Sequence, residues 1–158
     1  MSSAQKNLSS YSDQNIADIT QKTFGVVISE WNNSVTDSLY AGALDTLLQH
    51  GAQKDNIVTT YVPGSFELTL GAQRLAKQDE IDAVICLGCV IQGETRHFDF
   101  ICSAVAHGLT EVGLKYDKPV IFGVLTPDTY QQALDRAGGK HGNKGDEAAI
   151  TAIKMLAL

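Results

Sequence analysis

The sequence predicts an α/β protein, a three-layer α/β/α sandwich with a four-stranded parallel sheet. Two observations favour this fold class. Four short runs of apolar, mostly β-branched residues recur along the chain, and each is followed by a segment whose apolar residues have helical spacing. Because parallel strands need long right-handed crossovers and bury both faces, this alternation indicates one sheet that is covered by helices on both sides.

The first strand and helix show the pattern at its clearest. Residues 24–29 (FGVVIS) form the strand, and the helix that follows has an apolar residue at every fourth position, namely Val35, Leu39, Ala43 and Leu47. Ser34 and Asp37 are spaced as a capping box at its beginning, and Gly51 supplies its end. These signals predict one complete β-α unit.

The remaining elements follow in the same order. Strands are predicted at residues 57–62, 83–87 and 120–125. Helices are predicted at residues 66–77, 99–116, 130–137 and 145–156. The glycines at positions 138, 139 and 142 interrupt the chain before the last helix, for which the segment NKGDEAA is typical of an N-cap with acidic residues in the first turn. The architecture predicted is of the flavodoxin-like kind.

Length, charge and composition restrict the class of protein. A chain of 158 residues with 44% hydrophobic residues has the size of one domain. Residues 1–20 carry few apolar side chains and no clear period, so we predict a mobile N-terminal arm before a domain at residues 21–158. The net charge of -6 disfavours nucleic acid and anionic membrane surfaces as partners. The polar N-terminus and the absence of a long apolar run predict a cytoplasmic protein.

Four loops are expected to lie together at the carboxyl ends of the strands, where open α/β sheets bind ligands. They are residues 30–34, 63–67, 88–97 and 126–129. In the first, Trp31 could stack on a planar ligand and Asn32 could read its edge, although a single Trp is more often part of a core. In the second, Ser65 is placed as the N-cap of a helix.

The third loop, GCVIQGET, has the glycine spacing of a phosphate-binding P-loop but carries Glu94 where that motif needs a lysine. A carboxylate at this position would repel nucleotide phosphates, so an ATPase is excluded. Gly93, the N–H groups that follow it and the Thr95 hydroxyl could still hold one phosphate. A plain glycine-rich turn between a strand and a helix is the alternative.

Charged residues near this loop and near the C-terminus add candidate functional groups. His97 is the best acid–base candidate, because an imidazole titrates near neutral pH. Asp99 could orient the His97 ring through a hydrogen bond or could cap the helix, and the spacing allows both. Arg136 and Lys144 could complete a phosphate site or could be charges that oppose a helix dipole.

The three cysteines raise a redox or a zinc site as alternatives. Cys86 and Cys89 match the C-x-x-C spacing, and His97 and Cys102 follow them. Both kinds of site are disfavoured, because Cys86 lies in an apolar strand and the remaining spacing is not that of a zinc site. Free cysteines often serve as small apolar core residues, so we predict core packing and a reducing compartment.

Five segments together resemble the 6,7-dimethyl-8-ribityllumazine synthase family, from about residue 24 to the C-terminus. They are WNNSVTDSL, VPGSFEL, GCVIQGETRHFDF, PVIFGVLT and RAGGKHGNKGDEAA. The resemblance implies a transferase of riboflavin biosynthesis that joins 5-amino-6-(D-ribitylamino)uracil to 3,4-dihydroxy-2-butanone 4-phosphate. The implied products are 6,7-dimethyl-8-ribityllumazine, phosphate and water, formed without a metal or a cofactor.

The resemblance also implies which residues bind the pyrimidine and its ribityl chain. Trp31 would stack on the pyrimidine, and Asn32 would lie beside it. The ribityl chain would be bound by the loop residues Ser65, Phe66 and Glu67. The pyrimidine pocket would be lined by backbone groups of Cys89, Val90 and Ile91.

The implied phosphate site and proton-transfer residue come from the next segments. The phosphate would be held by N–H and hydroxyl donors of Gly93, Glu94 and Thr95, and His97 would transfer protons. Glu94 departs from the small residue common in the family, so only its N–H can help; Thr69 and Pro127 also depart from the family pattern. A neighbouring subunit would supply Phe122 against the heterocycle and Arg136 to the phosphate, with Lys144 and Glu147 in the same region.

A site shared between subunits implies a homo-oligomer. The family's common unit is a pentamer, and decamers or capsids of sixty subunits are further forms; the short GGKHGNKG connection resembles the capsid-forming members. Riboflavin synthase is a protein partner that the resemblance suggests. Two alternative functions remain, a flavodoxin-like module that binds flavin without turnover and a protein whose main role is to form a shell. Flavin binding alone would not separate the first alternative from the enzyme.

Overall fold

The computed structural model describes residues 16–158, and its centre is a four-stranded parallel sheet. The strands are β1 (Phe24–Ser29), β2 (Ile57–Val62), β3 (Ala83–Cys89) and β4 (Val120–Leu125), in the spatial order β2-β1-β3-β4. The helices are α1 (Asn33–Gln49), α2 (Leu68–Ala76), α3 (His97–Tyr116), α4 (Tyr130–Asp135) and α5 (Lys144–Met155). The predicted flavodoxin-like sandwich is confirmed.

Two separate hydrophobic cores lie on the two faces of the sheet. Val26 of β1 belongs to the core that α1 and α5 cover, whereas its neighbour Val27 belongs to the core that α2 and α3 cover. The alternation follows from the pleat, since successive strand residues point to opposite faces. Each fully buried side chain of this size stabilises the fold by about 1.5–3 kcal/mol, so β1 and β3 are held from both sides.

The prediction that every strand is buried on both faces is wrong for the two edge strands. All residues of β1 and β3 are buried, but β2 leaves Val58 and Tyr61 exposed, and β4 leaves Phe122 exposed. The helices cover the central pair of strands most completely, and each edge strand has a sheet neighbour on one side only. An apolar strand sequence therefore does not distinguish a central strand from an edge strand.

The ends of α1 show one correct and one wrong prediction. Gly51 ends the helix as expected, because its φ of 99° lets its N–H bond to the Leu48 carbonyl (3.1 Å) and the next N–H bond to the Leu47 carbonyl (3.0 Å). The capping box of Ser34 and Asp37 does not form, since the N-cap is Asn32 and Ser34 is already inside the helix.

The glycine-rich break near the C-terminus is a small antiparallel hairpin that the sequence pattern did not predict. Its strands are β5 (Ala137–Gly139) and β6 (Gly142–Asn143). The N-cap expected from NKGDEAA is confirmed, because the Asn143 side chain accepts the Gly145 N–H at 2.8 Å. The nitrogen of the same side-chain amide donates to the Ser38 carbonyl at 2.9 Å, so the cap also fixes α5 to α1.

The outer face of α3 is unusually apolar for an exposed helix. Of its 20 residues only Val105, Leu109 and Val112 are buried, while Phe100 is 68% and Leu114 is 80% exposed. No helix within residues 16–158 is both long enough and apolar enough to cross a membrane. Large exposed apolar side chains on one helix are typical of a surface that contacts another molecule.

The predicted N-terminal arm falls mainly on residues 1–15, which lie outside the described residues. The last part of the arm, residues 16–20, packs onto the domain: Ile19 is fully buried, and Ile16 and Ala17 contact the core under α1 and α5. Burial of these apolar side chains stabilises their contact with the domain. The boundary at residue 20 stays a prediction.

Candidate active site

A cavity of about 760 Å³ opens at the carboxyl ends of β1, β2 and β3. It is lined by Trp31, Asn32, residues 64–67, residues 89–91, His97 and Ile101. Because β1 lies between β2 and β3, the cavity is next to the point where the strand order reverses, which is the usual ligand site of open α/β sheets. Its volume suits a small organic ligand.

The first loop holds Trp31 in an exposed position. The Glu30 and Trp31 N–H groups bond to the Val62 (2.8 Å) and Pro63 (3.2 Å) carbonyls, which fixes the loop against the end of β2. Trp31 is 71% exposed, so the interpretation of this residue as a core tryptophan is wrong. A rigid loop therefore presents an indole ring to the cavity, as stacking on a planar ligand requires.

Asn32 connects the first loop to the third. Its backbone is left-handed (φ 61°, ψ 43°), a conformation that Asn adopts more readily than most residues. The side-chain amide donates to the Cys89 carbonyl at 2.9 Å, and the Asn32 carbonyl accepts the first N–H groups of α1. The Asn32 amide therefore holds two walls of the cavity together.

The second loop is a single 3-10 turn, Ser65–Glu67, that precedes α2. The prediction of Ser65 as a helix N-cap is wrong, because the buried Ser65 hydroxyl makes no hydrogen bond within the described part of the chain. Phe66 and Glu67 are exposed at the cavity. The hydroxyl points towards Gly88, where an added Cβ would lie only 2.7 Å from the Ser65 oxygen, so a glycine is needed at that position.

The third loop leaves the end of β3 and contributes Cys89, Val90 and Ile91 to the cavity. The N–H groups of Val90 and Gln92 bond to carbonyls of β4 and of the fourth loop at 2.8 and 2.9 Å. The fourth loop, residues 126–129, therefore supports the third loop but does not line the cavity. The expectation that all four loops form the site is therefore wrong for the fourth loop.

His97 lines the cavity and is the first residue of α3, so this helix begins two residues earlier than predicted. Its ring makes no hydrogen bond within residues 16–158. Asp99 does not orient the ring: its carboxylate lies 3.7 Å from the Arg96 guanidinium, in the first turn of α3. The carboxylate there interacts favourably with the helix dipole.

The predicted phosphate-binding residues Gly93, Glu94 and Thr95 lie between Ile91 and His97, which both line the cavity. They are exposed, and within residues 16–158 their N–H groups bond to no protein acceptor. The Thr95 hydroxyl oxygen accepts the His97 N–H at 3.4 Å, which leaves its own proton free to donate. Free N–H groups before a helix of 20 residues attract an anion through the positive end of the helix.

The C-terminal cations form an ion cluster that is not part of this cavity. Glu147 of α5 is only 4% exposed, and its two carboxylate oxygens accept from Arg136 at 3.0 Å and Lys144 at 2.8 Å. Arg136 is the C-cap of α4, where its charge can oppose the helix dipole, as one of its two interpretations proposed. Lys144 begins α5, so that interpretation is wrong for Lys144. Neither cation lines the cavity of its own chain, and neither does Phe122 of β4.

Two of the three cysteines are placed as the core-packing prediction expected, whereas Cys102 of α3 is only partly buried and belongs to neither core. Cys86 and Cys89 are buried, and burial raises the pKa of both thiols, that of Cys89 to about 11. Burial, with the nearby Asp99 charge, also raises the pKa of Cys102. Among residues 16–158 no three His, Cys, Asp or Glu side chains are grouped so that they could hold a metal ion.

These pKa values predict a slow and strongly pH-dependent reaction of Cys89 with iodoacetamide. Only the thiolate reacts, and a pKa of about 11 leaves about 0.1% of it ionised at pH 8. The alkylation rate measured by mass spectrometry should rise about tenfold per pH unit between pH 7 and 10. The chain unfolded in guanidinium is the control, in which all cysteines react readily. Rapid modification of folded Cys89 at pH 7 would contradict a buried neutral thiol.

Two residues of the cavity wall were not among the sequence candidates. Ile101 lies four residues after His97, and this spacing places both side chains on the same face of α3. Gly64 lies in the PGSFE loop and forms its wall through backbone atoms. The i+4 spacing from His97 was the signal that could have identified Ile101.

Comparison with known proteins places the whole chain in one family. Residues 21–158 match the model of the family described as 6,7-dimethyl-8-ribityllumazine synthase. A 6,7-dimethyl-8-ribityllumazine synthase of Cytophaga hutchinsonii is 68% identical over 99% of this chain and 98% of its own length. Proteins with the same description from Parabacteroides distasonis (56%) and Porphyromonas gingivalis (51%) match 99% and 100% of the chain, with 98% of each relative covered. The chain therefore belongs to the 6,7-dimethyl-8-ribityllumazine synthase family.

Proposed function

We propose that the protein condenses 5-amino-6-(D-ribitylamino)uracil with 3,4-dihydroxy-2-butanone 4-phosphate to give 6,7-dimethyl-8-ribityllumazine, phosphate and water. The protein is then a transferase of riboflavin biosynthesis. The observation that carries this proposal is the cavity at the ends of β1, β2 and β3, in which an exposed Trp31 and an unpaired His97 both take part. Its volume of about 760 Å³ accommodates both small substrates.

The reaction consists of two amine additions and one elimination. The 5-amino nitrogen attacks the butanone carbonyl, and water leaves as the C=N bond forms. A base then removes a proton from the adjacent carbon, the C–O bond to phosphate breaks, and phosphate leaves with the electron pair. The resulting enol takes up a proton at its terminal carbon and loses its hydroxyl proton, and so becomes a ketone. The ribitylamino nitrogen attacks this ketone, and loss of a second water closes the ring.

The residues of the cavity supply what this path needs. His97 takes the proton from the carbon next to the C=N bond and returns it to the enol, because a neutral imidazole can do both near pH 7. Trp31 stacks on the pyrimidine, and the backbone of Cys89, Val90 and Ile91 contacts its edge. The 65–67 turn binds the ribityl hydroxyls. Holding two reactants in place supplies a large share of the rate in such a reaction.

The phosphate group is held by two subunits in this proposal. The free N–H groups of Gly93, Glu94 and Thr95 bind it from the pocket side, and Arg136 binds it from the neighbouring copy, where Phe122 also contacts the heterocycle. Two observations support a shared site: Arg136 does not line the cavity of its own chain, and α3 exposes large apolar side chains. We propose a pentamer as the unit, located in the cytoplasm.

The non-catalytic alternatives are not favoured. A flavin-binding module needs stacking and a phosphate site but has no use for an unpaired histidine at the cavity. A shell protein needs contact surfaces but has no use for the cavity itself. The similarity to proteins described as synthases extends over 99% of this chain and 98% of each of two relatives.

The proposal is tested by mixing the purified protein with both substrates and following lumazine fluorescence together with phosphate release. Each substrate alone serves as a control. Product that appears only with both substrates, at a rate proportional to the protein concentration, supports the condensation. A folded, oligomeric sample that does not accelerate the uncatalysed reaction would reject the enzyme and favour the flavin-binding module.

A further inference from the structure

The ion cluster at the start of α5 contains a charge arrangement that the proposed reaction does not by itself explain. Glu147 is 4% exposed, yet its carboxylate contacts two cations whose side chains remain partly accessible, Arg136 at 23% and Lys144 at 19%. A carboxylate between two cations reduces their positive charge at a place where a phosphate group is expected to bind. Glu147 must therefore contribute something that outweighs this loss of attraction.

We propose that Glu147 is a positioning residue that holds Arg136 for the phosphate of the butanone substrate in the neighbouring subunit, while its other carboxylate oxygen holds Lys144 beside it. The inference rests on the proposed function. Each cation uses a different carboxylate oxygen, at 3.0 and 2.8 Å, so one buried carboxylate sets the spacing of both. The Glu147 side chain is only 3% exposed, compared with 23% for Arg136 and 19% for Lys144, so the cations and not the carboxylate face a ligand.

The backbone around the cluster holds Glu147 in place. Glu147 lies in the first turn of α5, where the Asn143 cap fixes the helix to α1 through the Ser38 carbonyl at 2.9 Å. On the other side, a second guanidinium nitrogen of Arg136 donates to the His141 carbonyl at 3.1 Å. The Lys144 N–H also bonds to the Arg136 carbonyl at 2.9 Å. The cluster is thus tied to the hairpin and to the helix at once.

Preorganisation explains why an arginine that is held in place binds phosphate better than an arginine that moves freely. Arg and Lys side chains have many rotamers, and a ligand that must order them binds more weakly. The guanidinium group keeps further N–H donors beyond those used by Glu147 and His141, so it can still donate to phosphate oxygens. The cost is a cluster with a net charge of +1 rather than +2.

A positioning role and a purely electrostatic role predict opposite results. If Glu147 only neutralises charge, Glu147→Gln raises the cluster charge and tightens phosphate binding. If Glu147 positions the pair, the same variant weakens phosphate binding despite the added charge. Glu147→Asp retains the charge but is one methylene shorter, so a positioning role predicts weaker binding and a charge-only role predicts no change.

The experiment measures KM for butanone phosphate, kcat and the Kd of inorganic phosphate by calorimetry in the assembled protein. Glu147→Gln and Glu147→Asp should each raise KM and Kd by about 10-fold while kcat falls less than about threefold. Asp135→Asn is the matched control, since it breaks the Lys140–Asp135 ion pair of 3.0 Å at the same hairpin. Assembly size and the melting temperature confirm that each variant is folded.

Several outcomes would overturn the inference. Unchanged or tighter phosphate binding in both Glu147 variants contradicts positioning, as does an equal shift in Asp135→Asn, which would indicate general loosening of the hairpin. A loss of kcat with unchanged KM and Kd indicates a structural role only. If the wild type binds phosphate and the variants bind it more weakly but no turnover occurs, the reaction is rejected and the positioning role stands. If the wild type neither binds phosphate nor reacts, both are rejected.

Discussion

Replacing Arg136 with alanine is expected to raise KM for butanone phosphate by about 100-fold, with a much smaller change in kcat. A hydrogen bond from a charged donor is worth about 1.5–3 kcal/mol, and a guanidinium can form two such bonds to one phosphate. The phosphate is remote from the amine that attacks first, so the loss should appear mainly in binding. Steady-state kinetics with butanone phosphate as the varied substrate measures it.

The control for this prediction is Lys140→Ala, which removes a cation that is 65% exposed on the same hairpin and pairs with Asp135 at 3.0 Å. This variant should keep its KM within about twofold, because an exposed ion pair contributes little. Arg136→Lys should recover part of the loss, since lysine keeps the charge but not the paired donors. An Arg136→Ala protein that is correctly assembled and has native KM would remove Arg136 from the phosphate site.

Co-assembly of two inactive variants is expected to restore about a quarter of the native activity. One parent carries Arg136→Ala and has a native cavity. The other carries Trp31→Ala and His97→Ala, which damage the cavity but leave Arg136 intact. In a ring with equal numbers of both subunits, half of the cavities are native and half of those face a native Arg136. The parents alone should retain only a few per cent of the activity, because each lacks a part of every site.

The subunits must be mixed before assembly, by co-expression or by joint refolding. Turnover is measured with the pyrimidine substrate saturating and with butanone phosphate near the native KM, where a roughly 100-fold increase in KM leaves the Arg136→Ala parent with only a few per cent of the native rate. Parents that are mixed as finished oligomers are the control and should show no recovery. If Arg136 acted in the cavity of its own chain, every site in the mixed ring would carry a defect. The mixture would then have the mean activity of its parents, and the shared site would be rejected.

Much of the fold was predictable because its signals are local. Each strand is a short apolar run, and each helix has its own period and end signals, of which Gly51 and Asn143 were recognised correctly. The loops after the strands could be listed in the same way, since a parallel sheet brings its carboxyl ends to one edge. Three of the four loops do line the cavity.

Other features depend on contacts between distant parts of the chain and have no local signal. Asn32 replaces Ser34 as the cap of α1 while its amide bonds to the Cys89 carbonyl, 57 residues further on. Ser65 is not a cap, because its hydroxyl is buried against Gly88 of β3. Asp99 pairs with Arg96, although its spacing from His97 allowed a hydrogen bond that orients the His97 ring as readily as a helix cap.

The sequence by itself determined the order of the strands and helices, the loops that carry the site and the position of its histidine. The tertiary structure alone decided which side chains are free to meet a ligand. Among residues 16–158 the His97 ring has no hydrogen-bond partner and Trp31 is exposed, whereas Arg136 and Lys144 are held by Glu147, outside the cavity of their own chain. The reason is physical: a period of apolar residues forms an element locally, but a hydrogen bond or an ion pair exists only after packing has brought its two groups within about 3 Å.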